Sequence, residues 1–178
     1  MKLFLLLFIV SCSLFGQKSV KDTLTYREYN TLKWTDFKAK APEGSEFSAS
    51  VSTGMSYKWS YSTRGGIIDF QYEIDAKLYR NFSWSIYKKD KESVLKHEQF
   101  HYEITELFAR KFRKALEEYE VGRSIRNDVT RIYEKLEKER VEMQLLYDKE
   151  TEHSLNKDAQ LAWQAKISLL LNDYESFK

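Results

Sequence analysis

The sequence predicts an α+β domain in which an N-terminal antiparallel β-sheet is followed by three helices. Two observations support this prediction. Apolar side chains recur at every second position over much of residues 47–84, which is typical of strands with one buried face. From about residue 90 onward they recur instead with the spacing of one helix face, in three stretches separated by breaks. The chain therefore changes from strand to helix near its middle.

The strand half contains two long alternating runs, residues 47–61 and residues 68–84. The turn Arg64-Gly65-Gly66 lies between them, so the two runs are expected to form an antiparallel hairpin. Gly54 predicts a bulge or a break within the first run. Upstream, residues 20–37 have the composition of short extended pieces. One face of the hairpin needs a cover, which the later helices can provide.

Three helices are expected in the second half, each flanked by residues that commonly begin or end helices. The first is expected to begin at Asp90 and to end at about Tyr119, before Gly122. The second is expected to begin at Ser124 or Asn127 and to end at Tyr147. The third is expected to be capped by Asn156, after a polar break over residues 148–156. A short connection makes the first two helices antiparallel neighbours.

The first predicted helix contains the pattern H-E-x-x-H, formed by His97, Glu98 and His101. Residues four apart on a helix lie on one face, one turn apart. Both imidazoles can therefore bind a single zinc ion, Zn²⁺. Glu98 is rotated about 100° around the helix from His97, so it is expected to act as a general base on water and not as a metal ligand.

His153 is the third histidine of the chain and the predicted third metal ligand. The antiparallel second helix returns the chain to the level of the histidine pair, and His153 follows its expected end by a few residues. Three histidines would leave an open fourth position for water. Carboxylates within reach are alternative third ligands, namely Glu142, Asp148, Glu150 and Glu152.

Other side chains are candidates for supporting roles. A carbonyl under attack needs a donor as negative charge develops on its oxygen. The candidates for that donor are Tyr102, Arg140 and Tyr147. Asp148 and Asp158 could instead orient a ligand histidine through its second ring nitrogen.

Residues 1–16 have the features of a signal peptide, with Lys2 preceding the apolar run 3–10. Cleavage near Gly16 would leave a single domain over residues 17–178. Alternatively, the residues before Cys12 resemble a lipobox, and lipidation of Cys12 would anchor the protein to a membrane. The predicted location is therefore secreted or periplasmic. The chain has 29 Lys and Arg against 27 Asp and Glu, which gives no electrostatic reason to expect nucleic acid as a partner.

Several motifs together resemble a bacterial family of unknown function whose members are described, on the basis of the H-E-x-x-H motif, as predicted secreted zinc-dependent proteases. The motifs are Leu32-Lys33-Trp34-Thr35-Asp36-Phe37, Phe82-Ser83-Trp84, the stretch from His97 to Glu106 with Ala109-Arg110, the stretch from Tyr147 to His153, and the stretch from Gln160 to Trp163. The family commonly has glycine after the late histidine, where this chain has Ser154. The resemblance implies a zincin-like helix, zinc binding and peptidase activity.

The function expected from the motif and the leader is that of a secreted zinc-dependent peptidase, in which Glu98 is the general base and His97, His101 and His153 hold one zinc ion. Its partner would be a peptide or protein substrate. The alternative is a non-catalytic zinc-binding envelope protein that binds a partner through its helices.

Overall fold

The computed structural model describes residues 21–89 and 91–178. Within them an antiparallel sheet is followed by three helices, so the α+β prediction is confirmed. The predicted signal peptide, Cys12 and the N-cap expected at Asp90 lie outside the described residues. In the described part of the chain, no helix is long and apolar enough to cross a membrane.

Five strands form two small antiparallel sheets. They are β1 (Thr23–Thr25), β2 (Ala49–Ser50), β3 (Thr53–Ser62), β4 (Asp69–Tyr79) and β5 (Trp84–Ser85). The larger sheet has the order β1-β4-β3, and the smaller one pairs β2 with β5. The predicted hairpin is β3-β4, in which Met55 lies opposite Ala76. Its turn requires glycine, because Gly65 and Gly66 have φ values of 67° and 79°.

The first alternating run is interrupted at Val51–Ser52, between β2 and β3, and not at Gly54. Gly54 lies inside β3 against the ring of Tyr79, where an added Cβ would come within 3.3 Å of that ring. This glycine therefore allows a close contact and does not mark a break. Of residues 20–37, the structure places 23–25 in a strand and Trp34–Asp36 in a short 3₁₀ turn.

The helices are α1 (Glu92–Glu117), α2 (Ile125–Thr151) and α3 (Lys157–Asp173). Helix α1 has Lys91 at its N-cap in the left-handed region, and its C-cap is Glu118, so the helix ends before Gly122. Ser124 is the N-cap of α2 but makes no side-chain hydrogen bond there. The Asn156 prediction is confirmed, because its side chain accepts a hydrogen bond from the N–H of Ala159 at 3.1 Å.

Helix α2 is one turn longer than predicted, and this is the main correction to the sequence analysis. It runs to Thr151, so Asp148 lies on the helix and not in a loop. Residues 148–151 are polar, but Thr151 is fully buried and donates to the carbonyl of Tyr147 at 2.7 Å. The helix ends at Glu152, which adopts a left-handed conformation with φ of 47°. Asp148 and Thr151 face inward whereas Lys149 and Glu150 are exposed, so the polarity of this turn does not mark a chain break.

Helix α1 is the centre of the molecule. One side packs on the hairpin, where the buried residues include Ile74 and Leu78 of β4 and Phe112 of α1. Helices α2 and α3 cover other sides. Helix α2 runs antiparallel to α1. Arg140, near the middle of α2, contacts Thr105 near the middle of α1, and Asp148, near the end of α2, contacts the motif near the start of α1. The H-E-x-x-H turns therefore meet the last turns of α2.

Candidate metal centre

His97 and His101 present their rings side by side on one face of α1. Their Nε2 atoms are 3.3 Å apart, and their ring planes are nearly perpendicular. His97 is buried, with 3% of its surface exposed, whereas His101 is half-buried. Burial, the strongest effect, lowers the pKa of His97, although the hydrogen bond that the ring makes to the Asp148 carboxylate opposes the shift. The ring is therefore held neutral, which is the form that can bind a metal ion.

Asp148, on the last turns of α2, brings a carboxylate oxygen against both imidazoles. Its Oδ1 lies 3.0 Å from Nε2 of His97 and 2.9 Å from Nε2 of His101. Burial alone would raise the pKa of Asp148, but the hydrogen bonds to His101 and His97 outweigh it and hold the pKa well below its usual range. The carboxylate is therefore negatively charged and lies beside the Nε2 atoms of both imidazoles.

His153 lies at the edge of this cluster. Its Nδ1 is 3.7 Å from Oδ1 of Asp148, beyond hydrogen-bonding distance, and its side chain is half exposed. The ring packs against Phe47 with the centroids 4.7 Å apart. The third histidine thus lines the same cavity as His97 and His101, but it lies farther from Oδ1 of Asp148 than they do. Its role as a ligand stays a prediction.

The other predicted alternatives to His153 lie farther from the pair. Glu142 is exposed and pairs with Lys138, and Glu150 accepts a hydrogen bond from Nε1 of Trp163 at 2.7 Å. Glu152 lines the cavity but is exposed. Asp158 is exposed in the first turn of α3. Among the carboxylates named in advance, Asp148 is therefore the one that contacts the histidine pair.

The three donor atoms fit a zinc ion. In the part of the chain that the structure describes, His97, His101 and Asp148 are the group of metal-ligating side chains whose donor atoms converge. Their mutual separations are 2.9, 3.0 and 3.3 Å. Zinc bonds of about 2.0–2.1 Å in a tetrahedron place neighbouring ligand atoms roughly 3.3 Å apart. Two imidazoles and one carboxylate are also a common ligand set of catalytic zinc sites, which leave a fourth position open.

Neighbouring side chains fix the orientation of the His97 ring. The ring of Tyr147 stacks on it with a centroid separation of 4.6 Å. On its other nitrogen, Nδ1 lies 3.5 Å from Oγ1 of Thr151, at the limit of a hydrogen bond. Tyr147 and Thr151 are both fully buried, so the ring has little freedom to rotate. Such support from outside the ligand set keeps Nε2 directed at the cluster.

Glu98 is buried beside the cluster and is held by the backbone. Its Oε2 accepts a hydrogen bond from the N–H of Val51 at 2.7 Å, and only 5% of the residue is exposed. Burial, the largest effect, raises its pKa, although the charge of His101 and the Val51 hydrogen bond both oppose the shift. A carboxyl with a raised pKa accepts and releases protons closer to neutral pH.

A cavity of about 790 Å³ opens over Glu98 and the cluster. It is lined by segment 46–51, the first turns of α1, the end of α2 and the turn 152–155. We call it the site cavity. Its volume lies within the range of small-molecule and peptide sites.

The three predicted donors for a developing negative charge do not line the site cavity. Tyr102 is buried, with its hydroxyl 3.5 Å from the carbonyl of Leu24, and the Tyr147 hydroxyl lies 3.4 Å from the carbonyl of His97. Arg140 is paired with Glu137. The polar side chains that do line the cavity, and that the sequence analysis missed, include Tyr87 and Gln144. For Gln144 a signal existed, because it precedes Asp148 by one helical turn.

Gln99, at a variable position of the motif, joins the metal-binding helix to the N-terminal segment. Its Oε1 accepts from the N–H of Leu32, and its Nε2 donates to the carbonyl of Asn30, both at 2.8 Å. Leu32 and Phe37, the ends of the N-terminal motif, are both buried in the core. That motif therefore supports the helix from the side opposite the site cavity.

No curated protein and no solved structure matches this chain. A family model does match, and it covers residues 31–154, from the N-terminal motif through His153 and Ser154. The matched range includes β2, β3, β4, β5, α1 and α2, and with them every residue of the candidate metal centre. The chain accordingly belongs to the bacterial protein family of unknown function DUF922.

Proposed function

We propose that the protein is a secreted zinc-dependent peptidase. The observation that carries this proposal is the position of Glu98. It is a buried carboxylate with a raised pKa, fixed by Val51, and it lies in the same cavity as the convergent His97, His101 and Asp148. Burial beside an open cavity would add little stability through a glutamate with a structural role alone, whereas a general base must lie beside the reacting groups.

The residues have distinct roles under this proposal. His97 and His101 hold the metal ion, the geometry favours Asp148 in the third position, and His153 is the predicted ligand next to it. A bound zinc ion would supply a Lewis acid that acidifies water and polarises a carbonyl group. Glu98 takes a proton from the attacking water and delivers it to the leaving amine. Its burial keeps bulk water from competing for that proton.

The neighbouring strand β2 favours an extended peptide as the substrate. The carbonyl of Ser48 accepts from the N–H of Ile86, so the backbone of residue 48 faces β5. Backbone groups alternate along a strand, so those of Ala49 and Val51 face the other way. In agreement with this alternation, the N–H of Val51 points away from β5 and donates to Glu98. The amide and carbonyl of Ala49 therefore face the side where a peptide chain could pair with them.

The variant Glu98→Gln tests the proposal. It keeps the size of the side chain and the hydrogen-bond acceptor for Val51, but it cannot take a proton. We expect the purified variant to bind as much zinc as the wild type and to lose hydrolysis of a broad peptide library by a factor of at least about 100, the scale of general acid–base catalysis. Glu117→Gln, an exposed glutamate at the end of α1, is the matched control.

The outcomes separate the two functions considered for this chain. If wild type and Glu98→Gln bind zinc alike and neither cleaves any peptide, the chain is a zinc-binding protein without peptidase activity. If the wild type cleaves and the variant cleaves equally well, Glu98 is not the base. If purified protein contains no zinc and takes none up, the metal site itself is wrong.

A further inference from the structure

Two large apolar side chains that line the site cavity are exposed. Phe47 precedes β2 and is 48% exposed, and Leu155 follows the turn after α2 and is 78% exposed. Apolar side chains that line a cavity beside reactive groups are a common feature of ligand sites. Other exposed leucines, such as Leu161 and Leu169 on α3, do not line the site cavity.

The fold does not use Phe47 for its core. Positions 47, 49 and 51 share one face of the extended segment, and Ala49 on that face is buried. Phe47 lies beyond this buried part, and the aromatic partner of its ring is the half-exposed His153. Both residues of this contact line the site cavity. The ring is thus held at the reactive centre with much of its apolar surface facing solvent.

Charge does not select a substrate at this rim. Apart from Glu98 and Asp148 at the metal centre, two acidic side chains, Glu46 and Glu152, and two basic ones, Lys91 and Lys157, line the site cavity. Around the metal centre these two signs balance, so the charges of the rim favour neither an acidic nor a basic peptide. Selection between peptides would therefore depend on apolar contacts, because the burial of apolar surface does not require a partner of opposite charge.

We propose that Phe47 and Leu155 form a subsite that binds one large apolar side chain of the peptide substrate close to the bond that is cleaved. This inference rests on the proposed function and names its substrate class: peptides with an aromatic or large aliphatic residue near the scissile bond. A strand rises about 3.3 Å per residue, so Phe47 lies roughly two residues from Ala49 along a paired peptide. The apolar residue is therefore within two positions of the one that faces Ala49.

The test compares pairs of peptides that differ only in Phe or Ala at one position near the scissile bond. We expect the wild type to cleave the Phe peptide with a kcat/KM at least about tenfold higher, a size typical of apolar specificity pockets. Phe47→Ala and Leu155→Ala should each bring the ratio of kcat/KM for the Phe peptide to that for the Ala peptide close to one. Phe82→Ala and Leu169→Ala are matched controls, since both residues are exposed away from the site cavity.

A second measurement does not depend on hydrolysis. Binding of the same two peptides to zinc-loaded Glu98→Gln protein, followed by fluorescence anisotropy, should show the Phe peptide bound about tenfold more tightly. That difference should disappear when Phe47→Ala is added to the Glu98→Gln background. This arm tests the subsite even if the wild type cleaves neither peptide, a result that would count against the proposed function alone.

Two results would overturn the subsite. In the first, Phe47→Ala and Leu155→Ala keep the full preference for the Phe peptide in both measurements. In the second, the variants lose the Phe and Ala peptides equally, which would mean that Phe47 supports the metal centre through His153 and does not select the substrate. Urea unfolding of each variant shows whether such a uniform loss comes from an unfolded protein.

Discussion

Oδ1 of Asp148 lies 2.9 Å from Nε2 of His101, although the two residues are 47 positions apart in the chain. The contact joins the end of α2 to the motif on α1. It places a carboxylate where a third histidine was predicted, and Nδ1 of His153 lies 3.7 Å from the same oxygen. The choice between these two ligands can be decided by measurement.

We expect Asp148→Asn to weaken zinc binding much more than His153→Ala. The amide oxygen of asparagine lacks the negative charge that Asp148 brings to the cluster. Loss of a direct ligand should lower the zinc affinity by more than the roughly 10–100-fold that is typical when a residue supporting a ligand is replaced. The measurement is zinc affinity by competition with a chelator. Asp158→Asn, an exposed aspartate on α3, is the control. The opposite order, with His153→Ala the more damaging change, would make His153 the third ligand.

A second prediction concerns the support that Gln99 gives to the metal-binding helix. Gln99→Ala removes two hydrogen bonds to the backbone, at Leu32 and Asn30, and leaves the partly buried N–H of Leu32 without its acceptor. The expected loss is about 1–3 kcal/mol in the free energy of unfolding. Urea denaturation of metal-free protein measures it. Gln71→Ala, on an exposed position of β4, should change stability by less than about 0.5 kcal/mol. Equal effects of the two changes would contradict the prediction.

The sequence predicted the local parts of this site better than the contacts between distant segments. The spacing of His97 and His101 determines that both rings share a helix face, and the hairpin followed from alternation. Asp148 was named among several carboxylates but assigned to a break, because polar residues on an inner helix face look the same in sequence as polar residues in a loop. The backbone contact from Val51 to Glu98 leaves no mark on residue types at all.

A third prediction concerns a buried ion cluster on α1, away from the site cavity. Oε1 of Glu106 lies 3.0 Å from Nε of Arg110 and 3.0 Å from Nη1 of Arg113, and all three side chains are buried. Glu106→Gln removes the negative charge and leaves two buried guanidinium groups facing an amide. Because breaking a buried ion pair leaves an uncompensated charge, we expect a loss of roughly 3–5 kcal/mol.

Urea unfolding measures this loss, and Glu175→Gln is its control. Glu175 is the exposed second partner of Arg110, at 2.7 Å, and solvent screens that pair. Its replacement should therefore have a much smaller effect than that of Glu106. If the two variants unfold at the same urea concentration, the buried cluster does not contribute as its geometry indicates.

The last prediction concerns the turn that follows α2, where Glu152, His153 and Ser154 all have positive φ values of 47°, 50° and 79°. Side chains other than glycine are strained in this region, by about 1–2 kcal/mol per residue in the least favourable cases. Ser154 stands where the resembling family commonly has glycine. Ser154→Gly should therefore stabilise metal-free protein by up to about 1 kcal/mol, after the greater freedom of glycine in the unfolded chain is subtracted.

The control for this change is Ser60→Gly on β3, an exposed serine with a negative φ. Without strain to relieve, glycine there should lower stability by roughly 0.5–1 kcal/mol. Both variants are compared with the wild type by urea unfolding in the presence of a chelator, so that zinc binding by the neighbouring His153 does not contribute. If Ser154→Gly destabilises the protein as much as Ser60→Gly does, the left-handed turn is not strained, and the serine at this position has no cost in stability.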